Sequence, residues 1–525
     1  MTLSVTLRQR DHNDRLPLAG VRLAPRRYGW MAMGGPDFAE IDASGDALAL
    51  WPLLNMLRTP VDISDETGNY VWWGFVSGVT VRIGAVELGV TMDRLYNRVA
   101  IAYSSIAPGA NSVGTRETTD WAQDDDSVAT YGIRELLDSR DGCSAETAEA
   151  RRDAILDRLR YPIPDVKFSG GEVEASATIQ CLGWWHTLDW QHFARGAGLE
   201  AHTVGAQSQA VGETADNGQV GQSFELTGGE AWTASTVSAR LGKRGDPTDN
   251  VLFYLCSDSA GEPGAILATG SIAGADVLPS RSWVTVALSS DVPLALATTY
   301  WLVLGRDGGL DDVDYYEVAV DENLGYAAGV LRIWDGVDWL VRTDSEGDPA
   351  DADMVFRIEG AEETTEQIER VVTDAGQFFR GTEIMTTSNV HVSPYRDGDT
   401  TGLYVLRQLL NDGVASGRRL LATVTRNRIL YVYEEPTKAQ SVIYLNAAGR
   451  PSTELGNELL AHTCPVATWC ELRDVIPTSV NMRALSDPSA FFVERSEFDV
   501  ERQQWMPEAR GIPGAFEIGQ LVTEV

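Results

Sequence analysis

Two tryptophans and an arginine are spaced for ligand contact in the stretch Leu331-Arg332-Ile333-Trp334-Asp335-Gly336-Val337-Asp338-Trp339-Leu340. The Asp-Gly pair favours a tight hairpin turn. With a loop of two residues or of four, Trp334 and Trp339 fall on one face of the hairpin and Arg332 joins them. Leu331, Ile333 and Leu340 point to the other face. An indole face stacks against the C–H surface of a sugar ring, so Trp334, Trp339 and Arg332 form a candidate carbohydrate-binding set. The competing reading is that both rings cover a sandwich edge or a neighbouring domain.

Other chemistry is sparse. Asp344, Glu346, Asp348, Asp351 and Asp353 are oxygen-rich, and Asp344, Asp348, Asp351 and Asp353 are candidate calcium ligands, although their spacing misses the EF-hand pattern. With 76 acidic residues, neighbours such as Asp124-Asp125-Asp126 and Asp311-Asp312 arise by chance and read as solvated loops. There is no G-x-S-x-G elbow, H-E-x-x-H pair, phosphate loop or dinucleotide fingerprint, so no catalytic residue and no cofactor is expected. The six histidines form no i, i+4 pair, and His186 and His192 read as loop or core residues. His462, Cys464 and Cys470 supply too few ligands for a closed zinc site; Cys143, Cys181, Cys256, Cys464 and Cys470 form no C-x-x-C pair and read as small buried residues, with a local Cys464–Cys470 bridge as the lesser alternative.

The 525 residues suggest three or four domains, and a 43% hydrophobic content with 50 glycines and 21 prolines describes a turn-rich globular chain. A formal charge of −34 argues against a nucleic-acid binder, because phosphates would be repelled. Lysine is confined to Lys167, Lys243 and Lys438; a GC-rich genome or a high-salt setting accounts for that. The first residues alternate like a strand rather than a signal peptide. The longest apolar stretch, Ala47 to Leu54, is too short for a membrane span and contains Pro52.

The elements that must position these side chains are mostly strands, giving a mainly β, multi-domain α+β fold class. From about Ala215 to Gly360 short strand-like runs, the alternating Gly221 to Leu226 and Ser235 to Leu241 and then Val251 to Leu255, Trp283 to Leu288 and Thr299 to Leu304, are separated by turn signals, as in a β-sandwich or jelly roll. On either side, a helix is predicted from Ala43 to Arg58, a strand over Val71 to Val76, a hairpin around Gly84-Ala85, and Arg98 to Tyr103 closing a barrel-like set. A helix from Ser144 would bury Ala150, Ala154, Ile155 and Leu159. Later helices would bury Ile368, Val371 and Val372, then Leu403, Leu406 and Leu410 up to Gly413. Strands Leu420 to Val424 and Ile429 to Tyr433 would pair around Arg426-Asn427-Arg428.

Two resemblances follow from these segments. The stretches Gly264 to Gly270 and Thr298 to Leu304 resemble carbohydrate-binding-like jelly rolls appended to phage tail proteins and extracellular hydrolases. Val71 to Val79, Asp93 to Val99, Ser127 to Glu135, Cys181 to Trp185 and Tyr395 to Tyr433 together resemble the baseplate hub (tail-tip, tail-associated) proteins of tailed phages. That resemblance implies a structural virion protein joining the tail tube to the distal tip, assembled in the host cytoplasm and not an enzyme. It further implies a homotrimer, built from barrels around Val71 to Tyr103 and Trp469 to Val500, with tail-tube, distal-tail and tip or fibre proteins as partners. Host-surface glycans are the expected ligand of the insert. The domain map is then an N-terminal hub barrel over 1–118, a second hub domain over 119–214 and 361–440, the insert over 215–360, and a strand-rich barrel region over 441–525. The alternative is an extracellular polysaccharide-degrading enzyme with an ancillary sugar-binding module.

Overall fold

The computed structural model describes residues 2–104, 116–194, 198–227, 229–322, 326–342, 352–386, 389–392, 395, 398–414, 418–436, 441–445, 451–452, 467, 469–474, 490–502 and 504–511. The fold is mainly β, with several sheets and few helices. Contacts divide it into two units: one of residues 1–193, 364–390 and 398–525, the other of residues 194–363 and 391–397.

The first unit is built on a sheet of fourteen strands among the described residues. Its backbone is the antiparallel pairing of Tyr70–Thr91 with Asp165–Leu182, flanked by Pro60–Ser64 on one side and Met33–Ser44 on the other. The predicted hairpin at Gly84-Ala85 is absent. Gly84 takes a φ of 57°, but the strand runs on through it, with the register shift absorbed as a bulge opposite Val173. The predicted helix from Ala43 is also much shorter. Met33–Ser44 is strand, the α-helix covers only Ala47–Leu50, and Trp51–Asn55 tightens into a 3₁₀ turn because Pro52 cannot continue an α-helical ladder.

Arg98–Ser104 leaves the main sheet and pairs in parallel with Glu135–Asp141, so it does not close the expected barrel. Val99, Ile101 and Tyr103 bury one face of it against helix Ala145–Leu159. That helix starts as predicted, with Ser144 accepting the Thr147 N–H at 3.3 Å, but its buried stripe is Ala148 and Ile155 with Leu159. Ala150 and Ala154 face outward, one phase step from the expected stripe. Thr364–Ala375 and Gly402–Asp412 are helices that bury Ile368, Val371, Val372, Leu403, Leu406 and Leu410. Strands Leu420–Val424 and Ile429–Glu434 pair around Arg426-Asn427-Arg428.

The segments before and after residues 194–363 close on each other. Gln377 exchanges two hydrogen bonds with the Ile133 backbone at 2.7 Å each, and the Phe193 N–H reaches the Thr400 carbonyl at 3.0 Å. The C-terminal strands, expected as a barrel of their own, are continuous with the main sheet, because Ala490–Asp499 pairs with Arg22–Met31. Tyr28 and Phe498, both fully buried, meet there at 5.4 Å between ring centroids.

That seam also carries a buried carboxylate. Asp37 is 5% exposed, accepts from His186 Nε2 at 2.9 Å and pairs with Arg495 of the C-terminal strand. Burial pushes its carboxyl up, but the hydrogen bonds from His186 and Arg495 outweigh that and hold it below the ordinary value. A depressed folded-state pKa stabilises above the unfolded value near ~3.9 and that stability is lost as pH falls through the folded value. Asp37→Asn is therefore expected to cost about 1.5–3 kcal/mol at neutral pH and to flatten the loss of stability below pH ~4. Denaturant melts at pH 7 and pH 3 check this; an unchanged acid profile would contradict it.

The second unit is a β-sandwich of two antiparallel sheets, with seven and six strands among the described residues. Val237, Val318, Phe356 and Ile358 of one sheet face Phe224, Phe253, Leu302 and Leu304 of the other. The sandwich takes in strands upstream of the predicted start at Ala215: Leu199–His202 pairs with Phe356–Gly360, and Gln207–Val211 with Tyr315–Asp321. Gln207–Val211 is short and mostly polar, so it carries little strand signal in the sequence.

Candidate functional site

The predicted tryptophan hairpin exists, as Leu331–Trp334 and Trp339–Val341 at the edge of the six-stranded sheet. Its loop holds four residues. Asp335 closes it: its carboxylate accepts the N–H groups of Val337 and Asp338 at 2.8 Å each, and Gly336 takes a φ of 95° that a side chain would resist. The Asp338 and Val337 N–H groups hold the Asp335 carboxyl below its ordinary range.

Trp334 lies directly opposite Trp339, and Arg332 opposite Val341, so the two indoles and the guanidinium share one face. The ring centroids are 5.5 Å apart at an interplanar angle of 52°. On the opposite face Leu331 and Ile333 reach the sandwich core, while Leu340, beyond its edge, stays 50% exposed.

The indole face is not free of the fold. Both rings are half-buried. Trp339 packs on an aromatic cluster on the outer face of the sheet, with Trp301, Val303, Cys256 and Tyr254. It sits so close to Gly221 that an added Cβ there would lie 3.2 Å from the indole. Burial pushes the Cys256 thiol up to about 11, so it stays protonated. Trp301 donates its Nε1–H to Asp258 at 2.8 Å, and the Arg332 guanidinium donates to the Trp339 carbonyl at 3.1 Å, with Glu262 at 4.0 Å. Trp339 is thus an anchor, and Trp334, Arg332, Asp258 and Glu262 are the groups beside it that offer stacking and hydrogen bonds.

Sequence reading missed Trp301, Asp258 and Glu262. The signal was present in Tyr300-Trp301-Leu302-Val303-Leu304, an unbroken apolar run: a strand without alternation must be covered on both faces.

The candidate calcium ligands Asp344, Asp348 and Asp351 lie outside the described residues. Asp353 is inside the sandwich, 2% exposed, accepting from Gln222 Nε2 at 2.8 Å and from the Tyr326 N–H. Among the described residues no group of three His, Cys, Asp or Glu is placed to hold a metal ion. Cys464 lies outside the described residues. No helix among the described residues is long and apolar enough to cross a membrane.

No family model and no curated protein matches the chain. Among solved structures, the mosquito-larvicidal Cry4Aa toxin from Bacillus thuringiensis aligns at 8% identity and a TM-score of 0.15, over 57% of this chain and 51% of that one. A glycoside hydrolase family 43 arabinoxylan arabinofuranohydrolase from Bacillus subtilis aligns at 9% identity and a TM-score of 0.15, over 54% and 63% of the two chains. Infectious bursal disease virus, Gt strain, aligns at 13% identity and a TM-score of 0.11, over 66% and 78%. The chain thus spans 51% and 63% of the lengths of the first two. Scores of 0.11 to 0.15 carry nothing about shared fold or function.

Proposed function

We propose that this chain is a non-enzymatic structural protein of a tailed-virus tail tip, whose sandwich unit contacts host-surface glycans. The observation that carries the glycan part is the Trp334–Trp339 pair, with ring centroids 5.5 Å apart beside Arg332 on the outer face of the sandwich. A half-buried indole held by a neighbouring ring presents its remaining face without losing side-chain entropy on binding. Trp334 stacks on the sugar, and Arg332 with Asp258 and Glu262 supplies hydrogen bonds to hydroxyls. The virion part rests on the chain-order resemblance to baseplate hub proteins.

The two tryptophans divide the work. Trp339→Ala removes a ring packed on buried Trp301 and is expected to cost about 3 kcal/mol, whereas Trp334→Ala leaves the melting temperature nearly unchanged. Equal losses from both variants, read by thermal denaturation, would make the pair a packing device and remove the glycan reading.

A homotrimer is the assembly that the hub resemblance implies, joined by closed cyclic symmetry. Its acidic surface, from a chain of net charge −34, repels at low ionic strength, so light scattering at raised salt is expected to give trimers. A hexamer or a persistent monomer would count against the tail-tip reading.

A further inference from the structure

A chain with 76 acidic and 42 basic residues gathers arginines in one cleft of the first unit. The cleft measures about 300 Å³ and is lined by Arg8, Arg380, Arg426, Arg428, His12 and Asp62, among others. Four guanidiniums against one carboxylate leave a formal charge of +3 with His12 neutral. Asp62 is already engaged: it accepts from Arg8 Nε at 2.8 Å and from Arg426 Nη2 at 2.9 Å. Arg380 and Arg428 have no carboxylate partner among the described residues, nor has Arg58 behind them, whose buried Nε lacks any hydrogen-bond partner there.

The backbone is strained at the same place. Of six non-glycine residues with positive φ among the described residues, three belong to this cluster: His12 at 71°, Arg58 at 63° and Arg428 at 63°. Each such conformation is unfavourable for its residue type and persists only when the surroundings impose it. Arg428 is clamped, its N–H donating to the Thr425 carbonyl at 2.8 Å and its carbonyl accepting from Arg380 at 2.9 Å. That places the two unpaired guanidinium residues side by side at the cleft, with the Trp184 ring 5.8 Å from the Arg428 guanidinium.

The titration behaviour agrees. Burial and then the charges of Arg428, Arg58 and Arg380 push the His12 imidazole down to about 4, with Asp11 opposing them. Burial and then Arg380 bring Arg428 down to about 10, and burial, Arg10 and Arg428 do the same to Arg58. Like charges packed this way repel one another, and an anion placed among them reverses the sign of that interaction.

We propose that this cleft binds a doubly charged oxyanion, a phosphate or sulfate group, through Arg380 and Arg428 with His12 beside it. A single carboxylate would leave most of the positive charge uncompensated, whereas a tetrahedral dianion accepts several guanidinium N–H bonds at once. Binding makes the protonated form of His12 favourable, so its pKa rises from about 4 and the anion is held more tightly as pH falls from 7 to 5. Sulfate is the probe for that trend, because it stays dianionic over the range.

Calorimetric titration of the full chain with sodium sulfate and sodium phosphate at fixed ionic strength tests the assignment. Saturable binding is expected, with a rise in melting temperature that sodium chloride does not reproduce. Arg380→Gln with Arg428→Asn, the latter keeping a residue that tolerates positive φ, is expected to weaken sulfate binding roughly tenfold or more while the ligand-free melting temperature holds. His12→Asn is expected to remove the pH dependence. A sulfated monosaccharide binding more tightly than free sulfate would place the group on a glycan, and equal binding would assign the free ion; both support the cleft. Equal stabilisation by chloride, or sulfate binding untouched in the double variant, would overturn it.

Discussion

Asp62→Ala is expected to destabilise the first unit by about 3–5 kcal/mol. The carboxylate is 6% exposed on strand Pro60–Ser64 and holds two guanidiniums, Arg8 at 2.8 Å and Arg426 at 2.9 Å. Arg426 arrives from the turn after Leu420–Val424 and lies 3.7 Å over the Tyr70 ring, so Asp62 ties that turn to strand Pro60–Ser64. Removing it does more than delete two hydrogen bonds. Arg8 and Arg426 are then left beside Arg380 and Arg428 with nothing between them but like charge. A fall in melting temperature on the order of 10 °C follows. A change below ~1 kcal/mol, the range of a surface pair, would show that solvent already compensates these arginines.

In the sandwich the corresponding residue is Arg306, where alanine is expected to cost a similar ~3–5 kcal/mol. Its side chain is 7% exposed and forks onto Asp249, with Nε and Nη2 each 2.6 Å from a carboxylate oxygen. Nη1 reaches the Asp314 carbonyl at 2.8 Å and the Gly212 carbonyl at 3.2 Å. One side chain thereby satisfies three segments. Gly212 lies against it so closely that a Cβ would fall 2.2 Å from the Arg306 Cδ. Arg306→Lys is expected to recover little, since an ammonium cannot reproduce the planar fork. Urea denaturation of the two variants checks this; a lysine variant as stable as the parent would mean that charge alone matters.

What could be read from the chain followed from how local each signal is. The helices Thr364–Ala375 and Gly402–Asp412 carry their apolar residues at helical spacing, and Gly413, at a φ of 70°, marks the second one's end. The hairpin at Trp334 and Trp339 was legible because strand alternation fixes which side chains share a face. Gly84 misled because a glycine in a strand signals a bulge as readily as a turn. In Ala145–Leu159 the alanines at 150 and 154 have no burial preference strong enough to set the phase, and Ile155 with Ala148 set it instead. The ion pairs were out of reach altogether. Arg426 lies 364 positions from Asp62, and the arginines of the cleft come from separate segments that only the folded sheet brings together.

Glycan recognition through Trp334 on the outer face of the sandwich, as proposed, is tested by binding of the intact chain to a printed array of bacterial envelope polysaccharides. The parent is expected to retain a defined set of saccharides. Trp334→Ala, at an unchanged melting temperature, is expected to hold that set about fivefold more weakly, since an aromatic contact contributes on the order of 1 kcal/mol beyond its burial. Retention of the same saccharides at undiminished strength by Trp334→Ala, or no saccharide bound by the parent, would rule out a glycan site at Trp334.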